Sequence, residues 1–266
     1  MKFLAQWRLR RPAEDAETVY VSERYGVRSL HIGSDTVQSA MRLARPNDLE
    51  LAYTRTMMAF LLFVPPPTRV LMIGLGGGSL AKFVHHRLGE ARVQVVEVNP
   101  QVLAVARQSF NVPPDGPRFE VLVADGAEYV ARGTVTADVL VVDGYDADAH
   151  AEELASKTFY ETCRARLTPG GMLVVNLWGG DKLFNVLLQR IEAAFPAGTL
   201  CLPAERPGNV IVFGFEANPG PYDWTVLSRR AEKLHVEYGL EFPRFVDGLR
   251  KMNRHDPERL YPYGDD

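Results

Sequence analysis

The sequence predicts an α/β fold whose centre is a mostly parallel sheet covered by helices. Short apolar runs alternate with stretches of helical periodicity from Arg69 to Leu177, and this alternation is typical of βαβ units. The runs are apolar at consecutive positions, as in strands that helices cover on both faces. A glycine-rich loop directly follows the first run, and open α/β sheets bind ligands beyond the carboxyl ends of their strands.

The first part of the chain is predicted to form a small β-hairpin module. Over residues 18–43, β-branched and aromatic runs are separated by two turn signals. Over residues 48–63, apolar residues recur at helical spacing, which predicts a helix with Asp48 as its N-cap. Consecutive prolines at 65–67 end that helix.

The elements of the sheet follow in order along the chain. A helix is predicted over residues 79–88, and Pro100 opens the next one, as a proline at the first helical position does. A late strand at 210–215 is expected to be antiparallel at the edge of the sheet. Residues 224–250 are predicted to be largely helical, and the chain from Pro257 to trail over the surface. The parallel strands are predicted at residues 70–73, 93–98, 119–124, 139–142 and 172–177.

Composition and charge exclude several classes of protein. The 266 residues carry a net charge of −3, which argues against affinity for nucleic acid through phosphate neutralisation. The longest apolar stretch, residues 57–64, is far short of the ~20 residues that span a bilayer. The two cysteines form neither a disulfide framework nor a zinc site. We therefore expect a cytoplasmic protein that binds no nucleic acid, membrane or metal.

The strongest functional signal is the loop Gly74-Leu75-Gly76-Gly77-Gly78. Glycines are needed where the backbone turns tightly and approaches a ligand without a Cβ in the way. The next strand ends in Glu97, at a spacing that suits an acid accepting both ribose hydroxyls of a nucleoside. The alternative is a structural turn followed by a surface glutamate.

Two kinds of nucleoside fit this pattern. A dinucleotide site places its pyrophosphate on the helix N-terminus, whereas an adenosyl-sulfonium site carries no phosphate and needs a polar group for adenine. Asp125-Gly126, at the end of the third strand, supplies such a group for the adenine amine. This second acid at the next strand tip favours the adenosyl-sulfonium.

Two carboxylates, Asp143 and Asp146, follow the fourth strand three residues apart. Such a pair can hold a cationic amine and remove its proton, because the pKa of one carboxyl rises beside the other. We therefore take both as candidate catalytic residues. The alternative is a solvated loop with Asx turns.

Together these residues resemble the spermidine synthase family of polyamine aminopropyltransferases, over roughly residues 19–215. The resemblance implies a seven-stranded, Rossmann-like sheet of the adenosylmethionine-dependent transferases, with an N-terminal β-hairpin module and pairing into a homodimer. We expect three parts: the module at residues 1–47, a nucleoside-binding catalytic domain at 48–215 and, beyond the resemblance, a helical extension at 216–266. The resemblance implies that these residues bind nucleoside: Gln38, Gly74, Gly76, Gly77, Gly78, Glu97, Asp125 and Gly126.

Some of the residues expected to bind the acceptor amine match the family, and others differ from it. Tyr53 matches the tyrosine that lines the family's amine pocket, and Glu205 is expected to help hold the amine. Gly77 stands where the family has an aspartate that binds the aminopropyl ammonium. The run at residues 205–210 lacks the aromatic residues of the family's amine clamp. The glycine loop is also similar to that of spermidine-synthase-like methyltransferases.

Three hypotheses about function follow. The first is aminopropyl transfer from decarboxylated adenosylmethionine to an amine acceptor, with Asp143 as the base. The second is methyl transfer from adenosylmethionine, for which Gly77 and Ser79 would leave room for the methionine carboxylate at the helix N-terminus. The third is a nucleoside-binding protein without turnover. In the first two the nucleoside is a co-substrate, and no tightly bound cofactor is expected.

Overall fold

The computed structural model describes residues 18–134, 136–144, 154–204 and 208–264. The first element of this part of the chain is a three-stranded antiparallel sheet. The predicted hairpins are thus confirmed. A tight turn joins the first two strands, where Tyr25 and Gly26 both have positive φ. The strands are β1 (Val19–Arg24), β2 (Val27–Ile32) and β3 (Ser39–Arg42).

The helix after this sheet begins later than its apolar periodicity predicts. Helix α1 spans Ala52–Met57 and continues as a 3₁₀ helix over Met58–Leu62. The prediction that Asp48 is the N-cap is wrong, because Leu51 holds that position. Asp48 instead belongs to a turn in which its carboxylate pairs with Arg45 at 3.4 Å.

The central sheet has seven strands, with helices on both faces. It confirms the predicted mostly parallel α/β fold, and each of the five predicted parallel strands is present. The strands are β4 (Arg69–Ile73), β5 (Arg92–Glu97), β6 (Phe119–Val123), β7 (Ala137–Val142), β8 (Leu167–Trp178), β9 (Thr199–Pro203) and β10 (Asn209–Phe215). The helices between them are α2 (Ser79–Arg87), α3 (Pro100–Ser109), α4 (Gly126–Arg132), α5 (Lys157–Ala165) and α6 (Phe184–Ala194).

The strand order is β6-β5-β4-β7-β8-β10-β9, in which the first five are parallel. Strand β10 is antiparallel to both neighbours, as predicted for its direction, but it is not the edge strand. That position belongs to β9, which the sequence analysis missed because no helix separates it from β10. Helix α1 packs on β8 and β10, so it covers one face at the sheet's carboxyl edge.

The C-terminal part covers the edge strand of the sheet. The prediction that the chain trails over the surface from Pro257 is wrong, since Leu260 is fully buried. Tyr263 and Thr199 exchange backbone hydrogen bonds of 2.7 and 2.9 Å. The Asn253 amide accepts from the Cys201 N–H and donates to its carbonyl, at 2.7 and 2.6 Å. The elements here are β11 (Tyr222–Asp223), α7 (Trp224–Tyr238), α8 (Phe242–Leu249) and β12 (Arg259–Leu260).

Among the described residues, no helix is long and apolar enough to cross a bilayer.

Lys82 connects the N-terminal module to the central sheet from a buried position. It lies on α2 with only 1% of its surface exposed. Its ammonium donates to the carbonyl oxygens of Pro46 and Phe110, at 2.7 and 2.6 Å. Burial lowers the pKa of Lys82 to about 8, because desolvation disfavours the charged form.

We expect Lys82→Met to change how stability depends on pH. Between about pH 8 and its ordinary pKa of 10.5, the folded protein releases a proton that the unfolded chain keeps. The free energy of unfolding of the wild type therefore rises through this window, by roughly 3 kcal/mol at most. Denaturant unfolding at about pH 7.5 and about pH 9.5 measures this rise, which Lys82→Met should lose.

Lys233→Met, which removes an exposed lysine on α7, is the matched control and should keep the rise. An equal rise in the wild type and in Lys82→Met would contradict the prediction.

Candidate active site

Asp143 lies at the carboxyl edge of the sheet, directly after β7, where three elements meet. Its Oδ1 accepts a hydrogen bond of 2.9 Å from the Asn176 side chain on β8. The hydroxyl of Tyr53, on α1, also donates to it. The predicted base and the predicted pocket tyrosine are thus in direct contact, and Asp143 is held from both sides.

Asn176 and Asn209 were missed by the sequence analysis. The Asn209 amide donates to Oδ1 of Asn176 at 2.9 Å, and Asn176 in turn donates to Asp143. Asn176 stands alone as a polar residue within the apolar end of β8. A carboxamide in such a run is a usable signal, because a half-buried amide needs hydrogen-bond partners.

Partial desolvation sets the protonation of this cluster. Burial raises the pKa of Asp143, and the hydrogen bonds from Asn176 and Tyr53 oppose that rise. Burial and the neighbouring Asp143 charge hold the pKa of Tyr53 well above its usual value, so the phenol keeps its proton and remains a donor. A carboxylate with a raised pKa is a better acceptor of protons.

We expect Asn176→Leu to change the pH profile of kcat/KM for a reaction in which Asp143 accepts the proton. The acid limb of that profile should move to higher pH. The amide stabilises the ionised form of Asp143, so losing it raises the pKa of that carboxyl further. A hydrogen bond to a charged group is worth about 1.5–3 kcal/mol, which corresponds to about one to two pH units. A profile from about pH 5 to 9 measures the limb. Asn185→Leu, at an exposed position on α6, is the control, and an unmoved limb in Asn176→Leu would contradict the role.

Glu97 is buried at the end of β5 and is bonded to the glycine loop. Its two oxygens accept from the backbone N–H groups of Leu75 and Asn99, at 2.9 and 2.8 Å. Burial raises the pKa of Glu97, and hydrogen bonds from the backbone N–H groups of Asn99, Leu75, Gly76 and Val98 oppose the rise. The backbone therefore fixes the orientation of this carboxylate.

The glycine loop passes very close to Asp143. A Cβ on Gly74, whose φ is +94°, would lie 2.2 Å from the Asp143 carbonyl oxygen. The Asp143 N–H donates to the Ile73 carbonyl at 2.9 Å, which completes the pairing of β4 and β7. Only glycine fits at position 74, because a side chain would clash with the Asp143 backbone. The glycine loop and Asp143 can therefore lie in direct contact. Gly76 and Gly78 also have positive φ.

Gly77 lies where a side chain would meet close neighbours. A Cβ there would lie 2.8 Å from Oγ of Ser39 and 2.9 Å from Cδ1 of Phe110. The Ser79 hydroxyl donates to the Ala40 carbonyl at 3.3 Å. A side chain at this position would therefore clash with Ser39 and Phe110, and the room for a methionine carboxylate beside Gly77 and Ser79 stays a prediction.

Asp125 and Gly126 have structural roles beside their predicted one. Asp125 is the N-cap of α4, and its Oδ1 accepts from the Glu128 N–H at 2.8 Å. A Cβ on Gly126 would lie 2.4 Å from Cγ2 of Ile73. Gln38 is half-buried beside Tyr53, whose hydroxyl lies 3.4 Å from the Gln38 carbonyl oxygen.

Asp146 and Glu205, the other predicted acceptor-binding residues, lie outside the described residues. Within the described ranges, no group of three or more His, Cys, Asp or Glu side chains is arranged to hold a metal ion.

The strand order of the central sheet and the helices on both its faces define a Rossmann-like α/β protein. A family model described as the spermine/spermidine synthase domain matches residues 50–211. Because that match covers more than half of the chain, the chain belongs to the spermine/spermidine synthase family. A polyamine aminopropyltransferase from Chromobacterium violaceum is 42% identical over 245 residues, which cover 92% of this chain and 94% of that protein.

Two solved structures are similar as well. A probable spermidine synthase from Corynebacterium glutamicum has a TM-score of 0.69 at 19% identity, covering 90% of this chain and 93% of that one. Human methyltransferase-like protein 13, solved in complex with SAH, has a TM-score of 0.58 at 27% identity, covering 78% of this chain and 96% of that one. The first likeness shows the fold alone.

Proposed function

We propose that this chain transfers an aminopropyl group from decarboxylated adenosylmethionine to an amine acceptor in polyamine biosynthesis. The observation that carries the proposal is Asp143, a half-buried carboxylate held by Tyr53 and Asn176 beside the glycine loop. Family membership and the similarity to a polyamine aminopropyltransferase point to the same reaction.

The nucleoside would lie across the carboxyl ends of β4, β5 and β6. We assign the ribose hydroxyls to Glu97, which already fixes the loop through Leu75. The adenine amine would donate to Asp125, and Gln38 would contact the nucleoside from the N-terminal module. Gly74, Gly76, Gly77 and Gly78 would let the backbone approach the ligand, with Gly126 holding the adenine side close to the sheet.

In the proposed reaction, the neutral acceptor nitrogen attacks the propyl carbon next to the sulfonium. A carbon–nitrogen bond forms, the carbon–sulfur bond breaks, and its electron pair stays on sulfur, so methylthioadenosine leaves. The acceptor amine is protonated at neutral pH, so Asp143 first removes a proton from it. We assign Asp146 and Glu205 to binding the ammonium. Attack at the sulfonium-bound carbon expels a neutral thioether, which is a good leaving group, so catalysis here is mainly alignment and proton removal.

Methyl transfer from adenosylmethionine is the second candidate function. Human methyltransferase-like protein 13, which is similar over 78% of this chain, was solved with SAH. On this candidate the same nucleoside site would hold the full amino acid. Gly77 and Ser79 at the start of α2 would then lie near the methionine carboxylate.

The test supplies the enzyme with a diamine and with either sulfonium compound, and identifies the products by mass spectrometry. Aminopropyl transfer yields methylthioadenosine and a triamine from the decarboxylated compound. Release of S-adenosylhomocysteine from adenosylmethionine would instead support methyl transfer. Isothermal titration with both compounds and with methylthioadenosine separates these outcomes from a protein that binds none of them. Pairing through the N-terminal hairpins remains a prediction, which sedimentation measures.

A further inference from the structure

A second cluster of polar side chains lies on the N-terminal sheet, outside the candidate active site. Leu30 of β2 packs with Val102 of α3 and with Phe110. Side chains alternate along a strand, so the sequence neighbours of Leu30 extend from the opposite face of this sheet. On that face, Oγ of Ser22 on β1 lies 2.8 Å from Nε2 of His31 on β2.

The hydrogen bonds of His31 fix which of its ring nitrogens carries the hydrogen. Nδ1 lies 3.1 Å from the Asp35 carbonyl oxygen and 3.2 Å from that of Thr36. Carbonyl oxygens only accept hydrogen bonds, so Nδ1 carries the hydrogen of the neutral ring. Nε2 is then an acceptor, and the Ser22 hydroxyl donates to it. His31 is therefore oriented as a base toward the Ser22 hydroxyl.

Tyr20 and the loop after β2 hold this imidazole in place. The Tyr20 ring stacks on the His31 ring, with centroids 4.6 Å apart and an angle of 9° between the planes. The Tyr20 hydroxyl donates to Oδ1 of Asp35 at 2.6 Å, and the carbonyl of the same aspartate accepts from His31. A nucleophile, a base and a group that orients the base are the parts of covalent catalysis by serine.

The surroundings of Ser22 give access to a reagent and offer a further donor. Ser22 is exposed, whereas only 6% of His31 is exposed. Ser29 lies directly opposite Ser22 on β2, and the Cβ atoms of such pairs are about 4.5–5.5 Å apart. Among the residues that the structure describes, none is hydrogen-bonded to the Ser29 hydroxyl. This hydroxyl can therefore donate to an oxyanion that forms at Ser22.

We propose that Ser22 is a second nucleophilic site of this protein, which accepts an acyl group from an activated carboxylic ester. The Ser22 Oγ attacks the ester carbonyl carbon while its proton passes to Nε2 of His31. A bond forms between Oγ and that carbon, the bond from the carbon to the alcohol oxygen breaks, and the proton then passes from His31 to the leaving oxygen. Ser22 is left acylated, by chemistry that is separate from the proposed aminopropyl transfer.

The test incubates the enzyme with para-nitrophenyl acetate and locates the acetylated residues by mass spectrometry of peptides. We expect Ser22 of the wild type to be acetylated much faster than Ser228, an exposed serine of α7. His31→Gln should lower the rate at Ser22 by roughly 10²-fold or more, the range typical for loss of a general base. Ser29→Ala should lower the rate by a smaller factor, because it removes one donor to the oxyanion.

Ser228→Ala is the control and should be acetylated at Ser22 as the wild type is. Ser22→Ala should lose the acetylated peptide and keep the aminopropyl transfer, so the two proposals can fail separately. Thermal unfolding checks that His31→Gln is folded, and if it is not, the rates at Ser22 and Ser228 in the wild type decide. Equal rates at Ser22 in folded His31→Gln and wild type would overturn the inference, as would acetylation of Ser22 no faster than that of Ser228.

Discussion

Asp143→Asn is expected to lower kcat about 10²–10⁴-fold, the range typical for loss of a general base. The amide keeps the shape of the side chain and can still accept from Asn176, but it cannot take a proton from the acceptor ammonium. The affinity for methylthioadenosine should survive within a few-fold, because Glu97 and the loop backbone are left intact. Single-turnover rates at saturating acceptor and calorimetry with the nucleoside measure the two effects separately.

Asp247→Asn is the control with the same charge change, since Asp247 is an exposed residue of α8. It should leave kcat and nucleoside affinity unchanged. A near-normal rate in Asp143→Asn with an identified acceptor would remove Asp143 from the chemistry and leave it as a structural acceptor for Asn176 and Tyr53.

Glu97→Ala is expected to weaken nucleoside binding by roughly 10²-fold or more, which corresponds to losing charge-assisted hydrogen bonds of a few kcal/mol. Two causes combine in this effect. The ribose hydroxyls lose their acceptor, and the Leu75 and Asn99 N–H groups lose theirs. Titration calorimetry with methylthioadenosine measures the dissociation constant.

Glu97→Gln helps to distinguish the loss of the ribose acceptor from the loss of the backbone acceptor. A carboxamide keeps one oxygen for one backbone donor, but its NH₂ group faces the other donor, so we expect an intermediate loss of affinity. Glu232→Gln, at an exposed position on α7, is the control for charge. Unchanged affinity in Glu97→Ala, with thermal unfolding showing a folded protein, would mean that the nucleoside binds elsewhere.

The sequence predicted the sheet well because each parallel strand carries its own local signal. Consecutive apolar residues from Val139 to Val142 are buried on both faces of the sheet, and helices separate the parallel strands. Strand β9 lacks that separation, since a short connection joins it to β10. The start of α1 was predicted too early because aspartate is a residue type that commonly caps helices. In the structure Asp48 lies in a turn before the helix, where its carboxylate pairs with Arg45.

The sequence predicts those candidate site residues whose chemical type and place at the end of a strand are enough to identify them. Asp143 and the glycine loop directly follow apolar strands, and Glu97 is the last residue of one. Asn176 and Asn209 were not found, because their roles depend on the pairing of β8 with β10, which brings distant parts of the chain together. The surroundings of Gly77 were equally hidden, since Ser39 reaches it from the N-terminal module.

The backbone and side-chain contacts that the C-terminal part makes with β9 also affect how the protein behaves at high concentration. An open edge strand offers unpaired N–H and C=O groups to the strands of another molecule. Here Tyr263 and Asn253 occupy such groups at Thr199 and Cys201. A truncation or fusion that displaces residues 253–263 would therefore expose these groups of β9 to pairing with strands of other molecules, and so promote aggregation.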